Sequence, residues 1–203
     1  LEHASPLVKV TIVPRGQSLG AAWYLPEERQ LNTKEQILDE MCAALGGRAA
    51  EKVVFDKIST GALSDLEKVT KQAYAMVQIY GLNDKIGNVS FYDSRGNESF
   101  QKPFSDKTAR VIDEEVREII EEQYARAIKL LTENRDKLNK LADTLLDKEV
   151  IFKENLVEIF GKRQWDTEEN TEDQVAEEVT DSSSETTEDN IHIYMNSSLG
   201  QGN

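Results

Sequence analysis

The sequence predicts a mainly α fold with a small β element, and three observations carry that prediction. Apolar residues recur at helical spacing through long charged stretches, above all after Ser105. Alternation at a strand period is restricted to short runs, the clearest being Leu7 to Val13. Charge divides the chain in two. Of the 203 residues with net charge −14, residues 165–203 hold eleven acids and no Lys or Arg, so residues 1–164 carry only −3. Residues 1–164 are long enough for one domain with a substantial core. Residues 165–203 are Glu, Thr, Ser and Asp with few large apolar groups, and are expected to form an acidic disordered tail.

Taken in order, Leu1-Glu2-His3-Ala4 reads as a helix end stopped by Ser5-Pro6. With no initiator Met, a segment of a longer protein is expected. Leu7 to Val13 reads as a strand with Val8, Val10 and Ile12 on one face, and Pro14-Arg15-Gly16 as a turn. Ala21 to Leu25 reads as a second short strand. Its Trp23-Tyr24 pair has two open readings, sheet packing or an exposed edge that captures an extended peptide. Thr33-Lys34-Glu35-Gln36 is a capping box opening a helix with Ile37, Leu38, Met41, Ala44 and Leu45 inward. Gly46-Gly47 permits close helix packing or a local bend.

Ile58 to Thr70 passes from β-branched residues through Gly61 into a helix that Ser59 or Thr60 can cap. Leu66, Val69, Ala73, Met76, Val77 and Tyr80 form its buried stripe, and Gly81 ends it. Val89 to Tyr92 reads as a strand, followed by a loop at Asp93–Lys102. From Ser105 a long helix keeps Ala109, Ile112, Val116, Ile119, Ala127, Ile128 and Leu131 inward. Glu114, Glu115, Glu118, Glu121 and Glu122 are its solvated face. Asn134 opens a helix with Leu138, Leu141, Leu145 and Leu146 inward, antiparallel to the one before it, and Lys153 to Phe160 forms a last short helix.

Several chemistries are excluded. No basic stripe neutralises phosphates, so nucleic acid is not a partner. No Gly-rich phosphate loop, GxSxG elbow or HExxH helix occurs, and His3 and His192 are the only histidines. The single cysteine, Cys42, lies on an apolar helix face and reads as a small buried hydrophobe rather than a nucleophile. No apolar run is long enough to span a bilayer, and no signal peptide opens the chain. Asp65 projects from the first turns of the helix after Gly61. By itself it reads either as a complement to the helix dipole, the commoner case, or as a metal-binding carboxylate.

Separated blocks take this further: LEHASPLVKVTIVPRG at Leu1–Gly16, GAAWYLP at Gly20–Pro26, GGRAAE at Gly46–Glu51, STGALSDLEKVT at Ser59–Thr70, YGLNDKIG at Tyr80–Gly87, and Lys148-Glu149. In this order they closely resemble the protease domain of the FtsH family of membrane-anchored AAA+ zinc metalloproteases, from residue 1 to about Gly161. The resemblance implies a helical FtsH-type peptidase domain, with the HExxH helix and its general-base Glu placed immediately before residue 1. It puts the family's carboxylate zinc ligand on Asp65 and a glutamate near the site on Glu51, which is the runner-up ligand or a residue orienting a histidine. Glu51 also has the plain reading of a helix-surface charge. His3 matches a family histidine outside the HExxH pair. Gly20, Ala21, Ala22, Trp23 and Tyr24 match the edge beside the substrate backbone.

For the whole protein, the resemblance implies zinc, an ATPase module using ATP and Mg, and polypeptide substrates. It also implies a homo-oligomer, a hexamer, and a membrane anchor through N-terminal helices at the bacterial inner membrane, facing the cytoplasm, or alternatively at the mitochondrial inner membrane. Without HExxH, this chain by itself is expected to be an inactive fragment. The alternative function is a non-catalytic oligomerisation or scaffolding module, and an intact or degenerate HExxH would separate the two.

Overall fold

Helix α4, Asp106–Glu133, is the post on which the rest is assembled. Ser105 caps it by accepting from the Thr108 N–H. The computed structural model describes residues 1–16, 19–25, 31–92 and 103–165. The Asp93–Lys102 loop and, apart from Trp165, the acidic segment expected at 165–203 lie outside the described residues. Against α4 pack α1 (Lys34–Ala44), α2 (Gly46–Phe55) and α3 (Leu63–Gln78), burying Met41, Leu45, Ala49, Val69, Met76 and Ile112 almost completely. The capping box at Thr33 is present, with the Thr33 N–H donating to Gln36 Oε1 at 2.8 Å. Leu45 alone separates α1 from α2. A Cβ on Gly46 or Gly47 would meet nothing within 4 Å, so the glycines mark that break and not a close helix contact.

Beside the helices lies a three-stranded antiparallel sheet of order β2-β1-β3: β1 is Leu7–Thr11, β2 Ala21–Tyr24 and β3 Val150–Phe152. Lys9 pairs with Trp23 on one side and Phe152 on the other. The register slips between Leu7 and Lys9. Val8 and Ile12 are accordingly more exposed than expected, and Thr11 is the buried residue of β1. A Cβ on Gly20 would lie 2.6 Å from the Thr11 carbonyl oxygen, so only glycine lets β2 begin this close to β1.

Helix α5, Arg135–Lys148, follows α4 after Asn134 alone. It packs on β3 and on α6 (Lys153–Phe160) more than along α4, so the expected antiparallel pair does not form. None of its residues is fully buried, and Leu146, expected inward, is 73% exposed. At its end Glu149 adopts φ 59, and its carbonyl accepts from the Thr11 hydroxyl and the Ile12 N–H, both at 3.0 Å. Those two bonds tie the short strand β3, absent from the sequence expectations, to β1.

Three further expectations change. Tyr80 lies beyond the C-cap of α3 at Ile79 and is exposed, while Gly81 at φ 64 turns the chain away. Val89–Tyr92 is not a strand. Phe91 instead donates its N–H to the Gln78 carbonyl and meets Phe104 edge to face, with centroids 5.0 Å apart. Glu115 does not belong to the solvated face. It is buried under the Leu82–Ile86 loop, where Asn83 Nδ2 donates to it at 2.7 Å and Lys85 pairs with it. Cys42 is buried, as expected of a small hydrophobe.

Candidate functional site

Asp65 is the third residue of α3, and its position follows from the turn before it. Ser59 is extended, and its hydroxyl accepts from the Gly61 N–H at 3.1 Å, closing the 3-10 turn Thr60–Ala62 that runs directly into α3. Gly61 does not adopt a left-handed conformation here, and its part in the turn is to donate that N–H. The first turn of α3 has no side-chain cap of its own, since its N-cap is Ala62.

The Asp65 carboxyl is pushed above the usual carboxylate range by desolvation, with the charge of Lys68 pulling the other way. Its carboxylate therefore lies in surroundings that do not compensate it fully. Tyr24, on β2, has its hydroxyl pushed up by desolvation first and by the negative charge of Asp65 second, although 55% of the residue is exposed. In the order β2-β1-β3, the side of β2 away from β1 is an edge of the sheet. Of the predicted edge residues, Ala21, Ala22 and Tyr24 are exposed while Trp23 is half-buried, with Lys9 Nζ 5.0 Å from the centre of its ring.

Glu51, on α2, is engaged with Ser59. One carboxylate oxygen accepts the Ser59 N–H at 2.8 Å and the other accepts its hydroxyl at 2.5 Å. These bonds hold the Glu51 carboxyl below its usual range. His3 lies elsewhere, its backbone N–H donating to the Asp39 carboxylate at 2.9 Å. Sequence reading missed this second polar centre. Asp39, buried on α1, also pairs with Arg126 of α4 at 2.6 Å, and Arg163 donates to the carbonyls of Glu2 and Ala4 at 3.0 and 2.6 Å. Nothing in local periodicity signals Asp39, because its partners are far along the chain.

Among the described residues there is no group of three or more His, Cys, Asp and Glu that could hold a metal ion. The described residues by themselves therefore do not bring together the donors of a tetrahedral zinc site. No described helix is long and apolar enough to cross a membrane.

Comparison with known proteins gives a coherent result. The family model described as Peptidase family M41 matches residues 1–159. The chain is similar to the ATP-dependent zinc metalloprotease FtsH of Parabacteroides distasonis, 63% identical over 166 residues that cover 81% of this chain and 24% of that protein. It is also similar to the protein of the same name from Karelsulcia muelleri, 53% identical over 161 residues, with coverage of 78% and 26%. A third relative is a component of the mitochondrial inner membrane m-AAA protease of Mus musculus, 48% identical over 178 residues, with coverage of 87% and 22%. The chain thus spans about a quarter of the length of the curated relatives it matches. A mainly helical domain with a small sheet and these relatives agree: the chain belongs to peptidase family M41, as the FtsH-type protease domain its motifs resemble.

Proposed function

We propose that this chain is the peptidase part of an ATP-dependent zinc metalloendopeptidase, and that Asp65 is its carboxylate zinc ligand. The observation that carries the reading is the family match over residues 1–159, which includes Asp65 at the start of α3, in surroundings that desolvate its carboxyl. A carboxylate in that condition favours an added cation, and two imidazoles of an HExxH segment would complete the ligand set. When bound, the metal would polarise the scissile carbonyl and activate water. This chain's own residues would do the positioning. The sheet edge formed by β2, with Gly20 just before it, would hold an extended polypeptide by main-chain hydrogen bonds.

The whole protein would take unfolded or membrane polypeptides, work as a hexameric ring driven by ATP and Mg in an ATPase module, and be anchored in a bacterial inner membrane facing the cytoplasm. The mitochondrial relative supports the alternative of a mitochondrial inner membrane. Without HExxH, residues 1–203 would bind no catalytic zinc and cleave no peptide.

The test uses a polypeptide that also contains the HExxH segment. Asp65→Asn keeps the shape of the side chain and removes its charge, and zinc affinity and casein cleavage are expected to fall by at least about 10–100-fold with the fold retained. Near-normal cleavage by the Asn variant at limiting zinc would exclude Asp65 as a ligand.

A further inference from the structure

The bonds between Glu51 and Ser59 have a use beyond local stability. Helix α2 packs on α4, and near its C-terminal end the Arg135 guanidinium donates to the Val53 carbonyl. Glu51 therefore stands on a fixed support. Eight residues on, Ser59 presents two donors, its N–H and its hydroxyl, and each meets a different oxygen of the same carboxylate. The hydroxyl spends its proton on Glu51 and keeps a lone pair that accepts the Gly61 N–H. One side chain thus links the carboxylate of α2 to the 3-10 turn Thr60–Ala62, and that turn runs into α3 without an intervening residue. Helix α3 has no side-chain cap, and the turn held by Ser59 leads straight into its first residues, including Asp65.

We propose that Glu51 is a positioning residue: its carboxylate latches Ser59, and through the 3-10 turn it holds the first turn of α3, and Asp65 with it, in place. The charged acceptor makes both bonds stronger than neutral ones would be. The lowered Glu51 carboxyl agrees with this, because it keeps the acceptor ionised at neutral pH. Each Glu51 oxygen accepts one bond from Ser59, and the proposed effect of Glu51 on the site runs through the backbone. The consequence for metal binding rests on the ligand role proposed for Asp65; the latch itself does not.

Two measurements decide it. In the first, amide hydrogen exchange is followed in this chain for wild type, Glu51→Gln, Ser59→Ala, Ser59→Thr and the double variant Glu51→Gln/Ser59→Ala. Exchange at Ser59, Gly61 and residues 63–66 is expected to quicken by about ten-fold or more in Glu51→Gln and Ser59→Ala, while residues 69–77 of α3 keep their protection. Ser59→Thr keeps both donors and should match wild type, and the double variant should be little worse than Glu51→Gln alone, because the two residues act as one unit. Unchanged exchange at Ser59 and Gly61 in both single variants would overturn the latch. Should Glu51→Gln fail to fold, the Ser59→Ala and Ser59→Thr pair decides the same point.

In the second, zinc affinity is measured by chelator competition on the polypeptide that includes HExxH. Glu51→Gln and Ser59→Ala should each weaken zinc by about 10–100-fold, and Ser59→Thr should not. Loss with Glu51→Gln but none with Ser59→Ala would overturn the latch as the route, and would place Glu51 at the metal shell itself. Unchanged affinity in Asp65→Asn would overturn the ligand assignment, while hydrogen exchange in this chain would still decide the latch.

Discussion

Asp39 and Glu115 are two carboxylates that a folded chain keeps from water only at a cost, and each is retained by partners from distant segments. Desolvation alone would raise the Asp39 carboxyl, but the His3 N–H and the Arg126 guanidinium outweigh it and hold the group below its usual range. A depressed folded-state pKa contributes stability above the unfolded value of about 3.9, and that contribution is lost as pH falls through the folded value. Asp39→Asn should therefore lower stability at pH 7 by about 1.5–3 kcal/mol and flatten the loss of stability in acid. Urea unfolding at pH 7 and at several lower values checks both. Glu115 follows the same logic: Asn83 and Lys85 overcome its desolvation. Neither burial was legible in the sequence, since a charge at helical spacing looks the same whether a partner covers it or water does. Asp65 was legible as the start of a helix, and only the resemblance of the family blocks singled it out for the ligand role proposed here. The bond between Glu51 and Ser59 follows no short-range pattern and needed coordinates.

At the scale of elements, helices with sustained periodicity were read well, because a stripe such as Val69, Ala73, Met76 and Val77 is required by the packing it makes. Met76 is fully buried in the core shared by α1, α3 and α4, so Met76→Ala should cost about 2–5 kcal/mol, measured by chemical denaturation. Short elements were read poorly for physical reasons. Val89–Tyr92 has strand-forming residues but no partner strand among the described residues, and Phe91 instead turns to Phe104. β3 is only three residues long, too short to show alternation, and exists because Glu149 and β1 hold it. Helix α5 has a genuine apolar stripe, yet none of its residues is fully buried. Periodicity names the face that is apolar and leaves open what covers it.

For the molecule as a whole, the architecture of helices around α4 with a small sheet was legible, while the closure of the chain on itself was not. β1, near residue 1, is sandwiched between β2 and the much later β3. Arg163 donates to the backbone oxygens of Glu2 and Ala4. The beginning and the end of residues 1–164 are therefore stitched together, and the connectivity is close to that of a ring cut at one point. A circular permutant should tolerate having these ends joined by a short linker and new ends opened at Leu31, which is 88% exposed. Its thermal midpoint should stay within a few degrees of the parent, a shift corresponding to about 1 kcal/mol or less for a domain of this size. Arg163→Ala should make the original connectivity fray first at residues 1–4 and should disturb the permutant less, because there a covalent link takes over the task of the guanidinium. Thus a single arginine acts as a clasp, and what it fastens is the order in which the polypeptide is threaded.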